Sequence, residues 1–186
     1  MRMDRTQPLT AERVINTYDQ GALTRIFREY GEERFAAPIA RRICSTRQSS
    51  PIRTTGELSA LIADTIPARC QERAHHPARR VFQAVRIEVN GELSAIRPAL
   101  SALVERLSPG GRLAVITFHS LEDRLVKECF AAFAKGCDCP PDFPVCVCGK
   151  TPSVKLLTRK PIEPDERELG ENSRSHSAKL RCIEKL

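Results

Sequence analysis

Residues 110–130 read GGRLAVITFHSLEDRLVKECF and predict a buried strand, a polar turn and a helix in immediate succession. The strand, residues 113–118, is apolar at odd and even positions alike, which is typical of a parallel strand covered on both faces. Ser120 is placed to cap the following helix, whose first turn carries Glu122 and Asp123 at the positive end of the helix dipole. This stretch predicts an α/β fold with a place for a functional site.

His119 and Ser120 follow directly at the carboxyl end of the predicted strand. In open α/β sheets, ligands bind beyond the carboxyl ends of parallel strands. We therefore predict that both residues face a substrate and are catalytic. The alternative is that His119 is only a turn residue.

Composition narrows the classes of protein that the chain can belong to. Its 186 residues are 41% hydrophobic, so the chain can bury a core and form one or two small domains. A formal net charge of +7 favours a polyanionic partner. There is no run of about 18 apolar residues and no signal-peptide pattern in the first residues. We predict a cytoplasmic protein that does not bind membranes.

Residues 1–74 predict a small helical domain, because apolar residues recur at helical spacing and no stretch resembles a strand. Thr10 and either Thr54 or Thr55 are candidate helix caps, and Pro38 should kink the third helix or shift its start. Arginines lie on the polar side of that third helix. We predict that they are solvated, with contact to nucleic acid as the alternative. The four are Arg34, Arg41, Arg42 and Arg47.

Residues 79–107 predict a long helix, or a helix pair bent near Gly91 and Pro98, that packs onto the sheet through its apolar face. Its other face carries polar side chains at steps of four, three and four residues, with no acid at the usual pairing distance among them. These side chains are either solvated or hold phosphate and orient the edge of a base. This polar stripe consists of Arg79, Gln83, Arg86 and Asn90.

A cysteine-rich loop, residues 136–150, contains four of the eight cysteines. Such local clustering is typical of a metal or thiol site and not of a secreted disulfide framework. Two Cys-x-Cys pairs could supply four thiolates to one tetrahedral zinc ion, although one intervening residue is tighter than the usual spacing. Thiols that bind no metal, or that are redox-active, are the alternative. The candidate ligands are Cys137, Cys139, Cys146 and Cys148.

Several stretches carry a resemblance that covers essentially the whole chain. They are HPARRVFQAVRI at 76–87, PGGRL at 109–113, FHSLEDR at 118–124 and NSRS at 172–175. Together they resemble the small-subunit ribosomal RNA cytosine methyltransferases of the MraW type. The resemblance implies an S-adenosylmethionine-dependent enzyme that methylates the exocyclic amine of a cytosine in small-subunit ribosomal RNA, with that RNA or the small ribosomal subunit as its partner.

The same resemblance implies a partial Rossmann-like methyltransferase sheet in residues 75–186 and a helical insertion domain in residues 1–74. It also implies that the polar stripe, Arg174 and Ser175 bind the substrate. Residues 1–4 resemble a segment that lies inside the family's proteins, so we expect a chain truncated at its N-terminus. No Gly-x-Gly loop follows a strand in this chain, so we assign no cofactor-binding residue and expect weak binding of S-adenosylmethionine at most.

Two other interpretations of the function remain open. The chain could be a non-enzymatic RNA-binding or ribosome-assembly protein with a zinc knob, which the net charge and the cysteines favour. It could also complete a site together with a separately encoded N-terminal half. In either case a sheet that lacks its leading strands exposes an edge, and we expect that edge to promote self-association.

Overall fold

The structure, a computed structural model, describes the residues 1–71, 76–140, 143, 145 and 147–186. They divide into two compact units, Met1–Glu92 and Leu93–Leu186. The first unit is helical and the second combines helices with a sheet, which confirms the predicted α/β class. Among the described residues, no helix is both long enough and apolar enough to cross a membrane.

The helices of the first unit are short and follow one another closely. They are α1 (Ala11–Thr17), α2 (Gln20–Glu29), α3 (Ala36–Ser49), α4 (Thr55–Thr65) and α5 (Arg79–Asn90), with a 3₁₀ turn at Ala68–Cys70. The second unit contains two long helices, one short helix and a sheet. Its elements are α6 (Glu92–Arg106), β1 (Arg112–Thr117), α7 (Ser120–Ala134), β2 (Val154–Leu156), α8 (Glu166–Glu171), a 3₁₀ turn at Ser173–Ser177 and β3 (Lys179–Lys185).

The helix caps of the first unit confirm the predictions. Thr10 accepts a hydrogen bond from the backbone N–H of Arg13 at 3.0 Å and starts α1. Thr54 forms a capping box with Glu57, in which each side chain accepts from the other residue's backbone N–H. Pro38 lies in the first turn of α3, where its missing N–H has no helical partner to lose, so it sets the helix start and does not kink the helix.

Helix α5 packs into the core of the first unit. Its buried residues Val81, Ala84 and Val85 belong to the same apolar cluster as Phe27 of α2 and Ile39 of α3. The prediction that the apolar face of this helix packs onto the sheet is wrong for α5, because that face completes the helical core. The predicted boundary between residues 74 and 75 falls on residues outside the described ranges.

Arg47 is not solvated, and that part of the prediction is wrong. Its Nη1 donates to the carbonyl of Ile15 at 2.6 Å and its Nη2 donates to the carbonyl of Tyr18 at 2.5 Å. These carbonyls lie at the C-terminal end of α1, where helical partners run out, so a cation from α3 satisfies them. Arg34, Arg41 and Arg42 are exposed, as predicted.

Two glycines have structural reasons to be glycine. A Cβ on Gly31 would lie 2.6 Å from the carbonyl oxygen of Arg80 and 2.7 Å from that of Phe27, so the absence of a side chain lets the end of α2 approach α5. Gly91 has a φ of 61° and ends α5 in the left-handed conformation. It separates α5 from α6 as predicted, while Pro98 lies inside α6.

The sheet of the second unit has the strand order β1-β3-β2, and both pairings are antiparallel. β1 and β2 therefore run in the same direction on either side of β3. The strands predicted at 154–158 and 178–183 are found, although β2 ends at Leu156. The segment predicted as a loop at 160–177 also contains α8 and the second 3₁₀ turn.

The prediction that β1 is covered on both faces is wrong for the described chain. Leu113 and Val115 pack on the buried cluster of α6 and α7, whereas Ile116 is 59% exposed and Ala114 is also exposed. Successive side chains of a strand point to opposite faces, so helices on one face bury every second residue only. The apolar run shows that both faces can be covered, but it does not identify what covers them.

Candidate functional site

The turn from β1 to α7 is built around a capping box that differs from the predicted one. His119, and not Ser120, is the N-cap: its Nδ1 accepts from the backbone N–H of Glu122 at 3.3 Å. Glu122 Oε2 in turn accepts from the backbone N–H groups of Phe118 at 2.9 Å and of His119 at 3.3 Å. The prediction that Ser120 caps the helix is therefore wrong, and Ser120 is the first residue of α7.

These contacts set the protonation pattern of His119. Because Nδ1 accepts a backbone N–H, the neutral ring carries its proton on Nε2, which lies 3.3 Å from Glu122 Oε1. The side chain is only 12% exposed. Both ring nitrogens thus face the same capping box, so the geometry fits an imidazole that holds the turn, whereas Ser120 is exposed beside it.

An ion pair that the sequence does not predict fixes the first turn of α7 to the sheet. Arg181 of β3 donates to both carboxylate oxygens of Asp123, through Nε at 2.6 Å and Nη2 at 2.9 Å. Both side chains are largely buried, with 7% and 13% exposed. The hydrogen bonds from Arg181 hold the pKa of Asp123 below its ordinary value. Arg181 alternates with apolar neighbours on β3, and no local pattern identifies its partner 58 residues away.

The sheet register brings Arg174 and Ser175 to the same end of the sheet as His119 and Ser120. β3 begins at Lys179, which lies opposite Thr117 at the end of β1. The 3₁₀ turn that precedes β3 therefore lies at the end of the sheet where β1 ends.

The two residues of that turn differ in their surroundings. Arg174 is exposed, whereas Ser175 is buried and donates through Oγ to the carbonyl of Asn172 at 2.8 Å. Asn172 Oδ1 also accepts from the backbone N–H of Arg174 at 3.3 Å. Ser175 thus shapes the turn, and Arg174 is the residue of the pair that a ligand can reach.

In the first unit, the C-terminal half of the polar stripe is held together by an acid. Arg86 donates to both oxygens of Glu92, with Nε to Oε1 and Nη2 to Oε2 both at 2.9 Å. No acid lies three or four residues from Arg86 in the sequence. The pair forms because the chain turns back at Gly91 after α5 ends, which brings Glu92 beside the helix. The side chain of Arg86 remains 44% exposed.

Asn90 and Gln83 bond to backbone groups. Asn90 Oδ1 accepts from the N–H of Met3 at 2.8 Å, and its Nδ2 donates to the carbonyl of Met1 at 3.0 Å. Gln83 Nε2 donates to the carbonyl of Tyr30 at 3.0 Å. The stripe is therefore not a uniform row of donors: Arg79 and Arg86 are exposed cations, and the two amides tie chain segments to α5.

A groove of about 420 Å³ lies between α3 and α4 in the same unit. Its lining contains two exposed arginines and one carboxylate, so it carries excess positive charge that suits an anion. The arginines of α3 can be identified from the sequence, whereas the lining residues Asp64 and Thr65 of α4 cannot. The lining residues are Pro38, Arg41, Arg42, Ser45, Asp64 and Thr65.

In the cysteine-rich loop, three of the four predicted ligands lie together. The Sγ atoms of Cys137, Cys139 and Cys148 all lie within 4.8 Å of one another. Cys146, the fourth, lies outside the described residues. The loop thus forms a thiol cluster from residues eleven positions apart, at the far end of α7 from His119.

Comparisons with known proteins identify the family of the chain. A family model described as the MraW methylase family matches residues 1–186. The chain is similar to a protein of Symbiobacterium thermophilum named Ribosomal RNA small subunit methyltransferase H, with 54% identity over all 186 residues and 58% of that protein covered. Proteins of the same name from Carboxydothermus hydrogenoformans and Clostridium botulinum are 55% and 53% identical over the whole chain, which covers 60% of each.

The chain thus spans about three fifths of the length of these curated relatives. Both the family match and the identity extend from the first helix to the last strand, and they include the β1–α7 turn and the polar stripe. The chain belongs to the MraW methylase family.

Proposed function

We propose that the chain forms part of an S-adenosylmethionine-dependent methyltransferase that modifies the exocyclic amine of a cytosine in small-subunit ribosomal RNA. The observation that carries this proposal is the match along all 186 residues to relatives named as ribosomal RNA small subunit methyltransferases. The net charge of +7 is in keeping with an RNA substrate.

The proposal includes the kind of fold. The second unit would be the late part of a Rossmann-like methyltransferase sheet, and the helices of residues 1–74 would be its insertion domain. The sheet supports this interpretation because β1 and β2 run in the same direction, β1 leads directly into a helix, and β3 returns between them.

The described residues do not fit the cofactor. A Rossmann-type fold holds its nucleotide-like cofactor on a glycine-rich loop after a strand, because the backbone must approach the ligand closely. In the described part of the chain, the direct strand-to-helix turn is β1 to α7, and it contains Phe118 and His119 but no glycine. The N–H groups of Phe118, His119 and Glu122 are engaged in the capping box. We therefore assign this chain to the RNA side of the reaction only.

On the RNA side, the exposed cations are the groups that can bind. A cytosine must leave its stack to be methylated, so the enzyme needs donors that hold the displaced backbone and the edge of the base. Arg79 of the first unit and Arg174 of the second are exposed and can each contact phosphate through two N–H groups. Arg86 is also exposed, but its guanidinium is paired with the carboxylate of Glu92. Arg41 and Arg42 offer a further anion site in the groove between α3 and α4.

The remaining predicted site residues are assigned supporting roles. Gln83, Asn90 and Ser175 hold the backbone segments from which the arginines project, through the hydrogen bonds described above. Ser120 is the exposed group at the carboxyl end of β1, and we assign it contact with the flipped nucleotide. His119 positions Ser120 through the capping box. An amine that attacks a sulfonium methyl needs mainly alignment, which is what such a fixed turn provides.

The experiment that tests the proposal is a chimera. In the Carboxydothermus relative, the segment that this chain matches is replaced by residues 1–186 of this chain, and transfer of labelled methyl groups to small ribosomal subunits is measured. We expect methylation within about tenfold of the parental rate. A tenfold loss corresponds to a rise of about 1.4 kcal/mol in the activation barrier. A folded chimera that binds the RNA but transfers no methyl group would favour the RNA-binding alternative.

The role of His119 is tested by two substitutions in the chimera. His119→Ala removes the cap and should lower methylation and also destabilise the protein by about 1 kcal/mol. His119→Asn keeps an N-cap acceptor, so we expect it to restore the rate to within a factor of about three, since a few tenths of a kcal/mol separate good caps. Equal loss of methylation in both variants, with His119→Asn as stable as the parent, would show that the imidazole itself is required.

We also propose that the isolated chain self-associates through β1. In the described part of the chain, β1 pairs with β3 alone, and Ile116 and Phe118 are 59% and 56% exposed on one face. Such an edge and apolar face favour pairing with a second copy. Sedimentation should show concentration-dependent dimers that Ile116→Lys abolishes and that Val147→Lys, at an exposed position of the cysteine-rich loop, leaves unchanged. A parent chain that stays monomeric at every concentration would contradict this prediction.

A further inference from the structure

The cysteine-rich loop contains a thiol cluster with the geometry of a metal site. Cys148 Sγ lies 3.7 Å from Cys137 Sγ, and Cys139 Sγ lies within 4.8 Å of both. Two thiolates bound to one zinc at about 2.3 Å each, at the tetrahedral angle, lie about 3.8 Å apart. A disulfide needs its sulfurs about 2.0 Å apart, so the observed separation matches shared coordination better than a covalent bond.

Backbone N–H groups point at all three sulfurs. The N–H of Cys139 donates to Cys137 Sγ, that of Val147 to Cys139 Sγ and that of Asp138 to Cys148 Sγ, each at 3.4 Å. Hydrogen bonds to a charged form stabilise that form, so these donors favour thiolates, which are the form of cysteine that binds metal.

The charges of the loop also suit such a site. Three thiolates around one Zn²⁺ carry an excess of one negative charge. Lys135, at the end of α7, and Lys150, at the end of the loop, both bond to Asp138, at 3.2 Å and 2.7 Å. Asp138 is the residue between Cys137 and Cys139, so both ammonium groups are held next to the first Cys-x-Cys pair.

The described part of the loop has little apolar packing to hold it. Its large apolar side chains are exposed: Phe143 by 51%, Val145 by 69% and Val147 by 73%. The end of the loop is fixed where the N–H of Ser153 bonds to the carbonyl of Phe133 at 3.0 Å. A short segment without a core of its own requires a metal or a covalent bond to adopt one conformation.

We propose that Cys137, Cys139 and Cys148 bind one Zn²⁺ ion that cross-links the loop between α7 and β2. Their sulfur atoms supply three of the four ligands that tetrahedral zinc takes. Cysteine-rich zinc sites of this kind are structural, so we assign the ion a structural role. This site lies outside the RNA side of the proposed reaction and does not depend on it.

The test begins with the unmodified chain, purified reduced and without chelators. Elemental analysis should give about one zinc per chain. After the zinc is removed, titration with Co²⁺ should produce the intense thiolate-to-cobalt absorption of a tetrahedral sulfur site. The metal-free chain should be cut by a protease within residues 136–150, whereas the zinc-bound chain resists, and far-UV circular dichroism should change little because the helices and sheet lie outside the loop.

Single substitutions then identify the ligands. Cys137→Ser, Cys139→Ser and Cys148→Ser should each weaken Co²⁺ binding by about 100-fold or more. Cys70→Ser removes an exposed cysteine of the first unit and is the matched control with unchanged binding. The proposal is overturned if the reduced parent takes up neither metal, if mass spectrometry finds these cysteines in disulfides in the chain as purified, or if Cys148→Ser binds Co²⁺ as tightly as the control.

Discussion

Replacing Arg181 by alanine should lower the free energy of unfolding by about 3 to 5 kcal/mol, because it leaves a largely buried carboxylate without its cation. The side chain of Arg181 is 7% exposed and donates to both oxygens of Asp123. Urea unfolding followed by circular dichroism measures the change.

The matched control for Arg181 is Arg112→Ala. Arg112 forms a similar bond to Glu184, at 2.9 Å, but its side chain is 69% exposed. Solvent screens such a pair, so this substitution should change stability by about 1 kcal/mol at most. Equal effects of the two substitutions would contradict the assignment of Arg181 as the residue that holds α7 on the sheet.

The same pair predicts a dependence of stability on pH. The pKa of Asp123 is lowered in the folded protein by the hydrogen bonds from Arg181. The resulting stabilisation is therefore complete above the unfolded pKa of about 3.9 and is lost as the pH falls through the lower folded pKa. Arg181→Ala should remove this contribution to acid unfolding, so the stabilities of the two proteins should converge at the acid end of a pH series.

The second large effect concerns RNA. Arg174→Ala and Arg79→Ala, each made in the chimera, should lower kcat/KM for methylation by about tenfold, since losing one arginine contact to nucleic acid removes about 1 to 3 kcal/mol. Both side chains are exposed, so the folded protein should keep its stability. Methyl transfer to small ribosomal subunits at several salt concentrations measures the change.

The salt series separates a phosphate contact from a general effect. Each lost phosphate contact should reduce the slope of log affinity against log salt by about 0.7 to 0.9. The control is Arg97→Ala, an exposed arginine of α6 that pairs with Glu128 at 3.9 Å and is 58% exposed. The assignment of Arg79 and Arg174 to the RNA side is wrong if all three variants methylate at the same rate with the same salt slope.

Features that depend on a few neighbouring residues could be predicted from the sequence. The cap at Thr10, the capping box at Thr54 and the break at Gly91 follow from side-chain chemistry and backbone preference within one turn. The prediction that Arg47 is solvated is wrong, because the carbonyls that it binds belong to residues 29 and 32 positions away. A helical pattern separates polar from apolar faces, but it does not show which polar groups have partners in the fold.

The N-cap of α7 was also predicted incorrectly from the sequence. Serine is a better N-cap than histidine, which favoured Ser120, but the capping box requires the cap to lie three residues before Glu122. That position is His119. The spacing His119-x-x-Glu122 was thus a usable signal. The pairing of Arg86 with Glu92 had no such signal in the sequence. The two residues are six positions apart, and they meet only because the chain reverses at Gly91.

The most direct test of the account is the identity of the methylated atom. Ribosomal RNA from small subunits treated with the chimera is digested, and its nucleosides are analysed by mass spectrometry. We expect one new methyl group on the exocyclic amine of a cytosine, and its loss when the exposed arginines Arg79 and Arg174 are both replaced by alanine. A methyl group on another base or on a ribose, or no methyl group from a folded chimera that binds the cofactor, would contradict the proposed function.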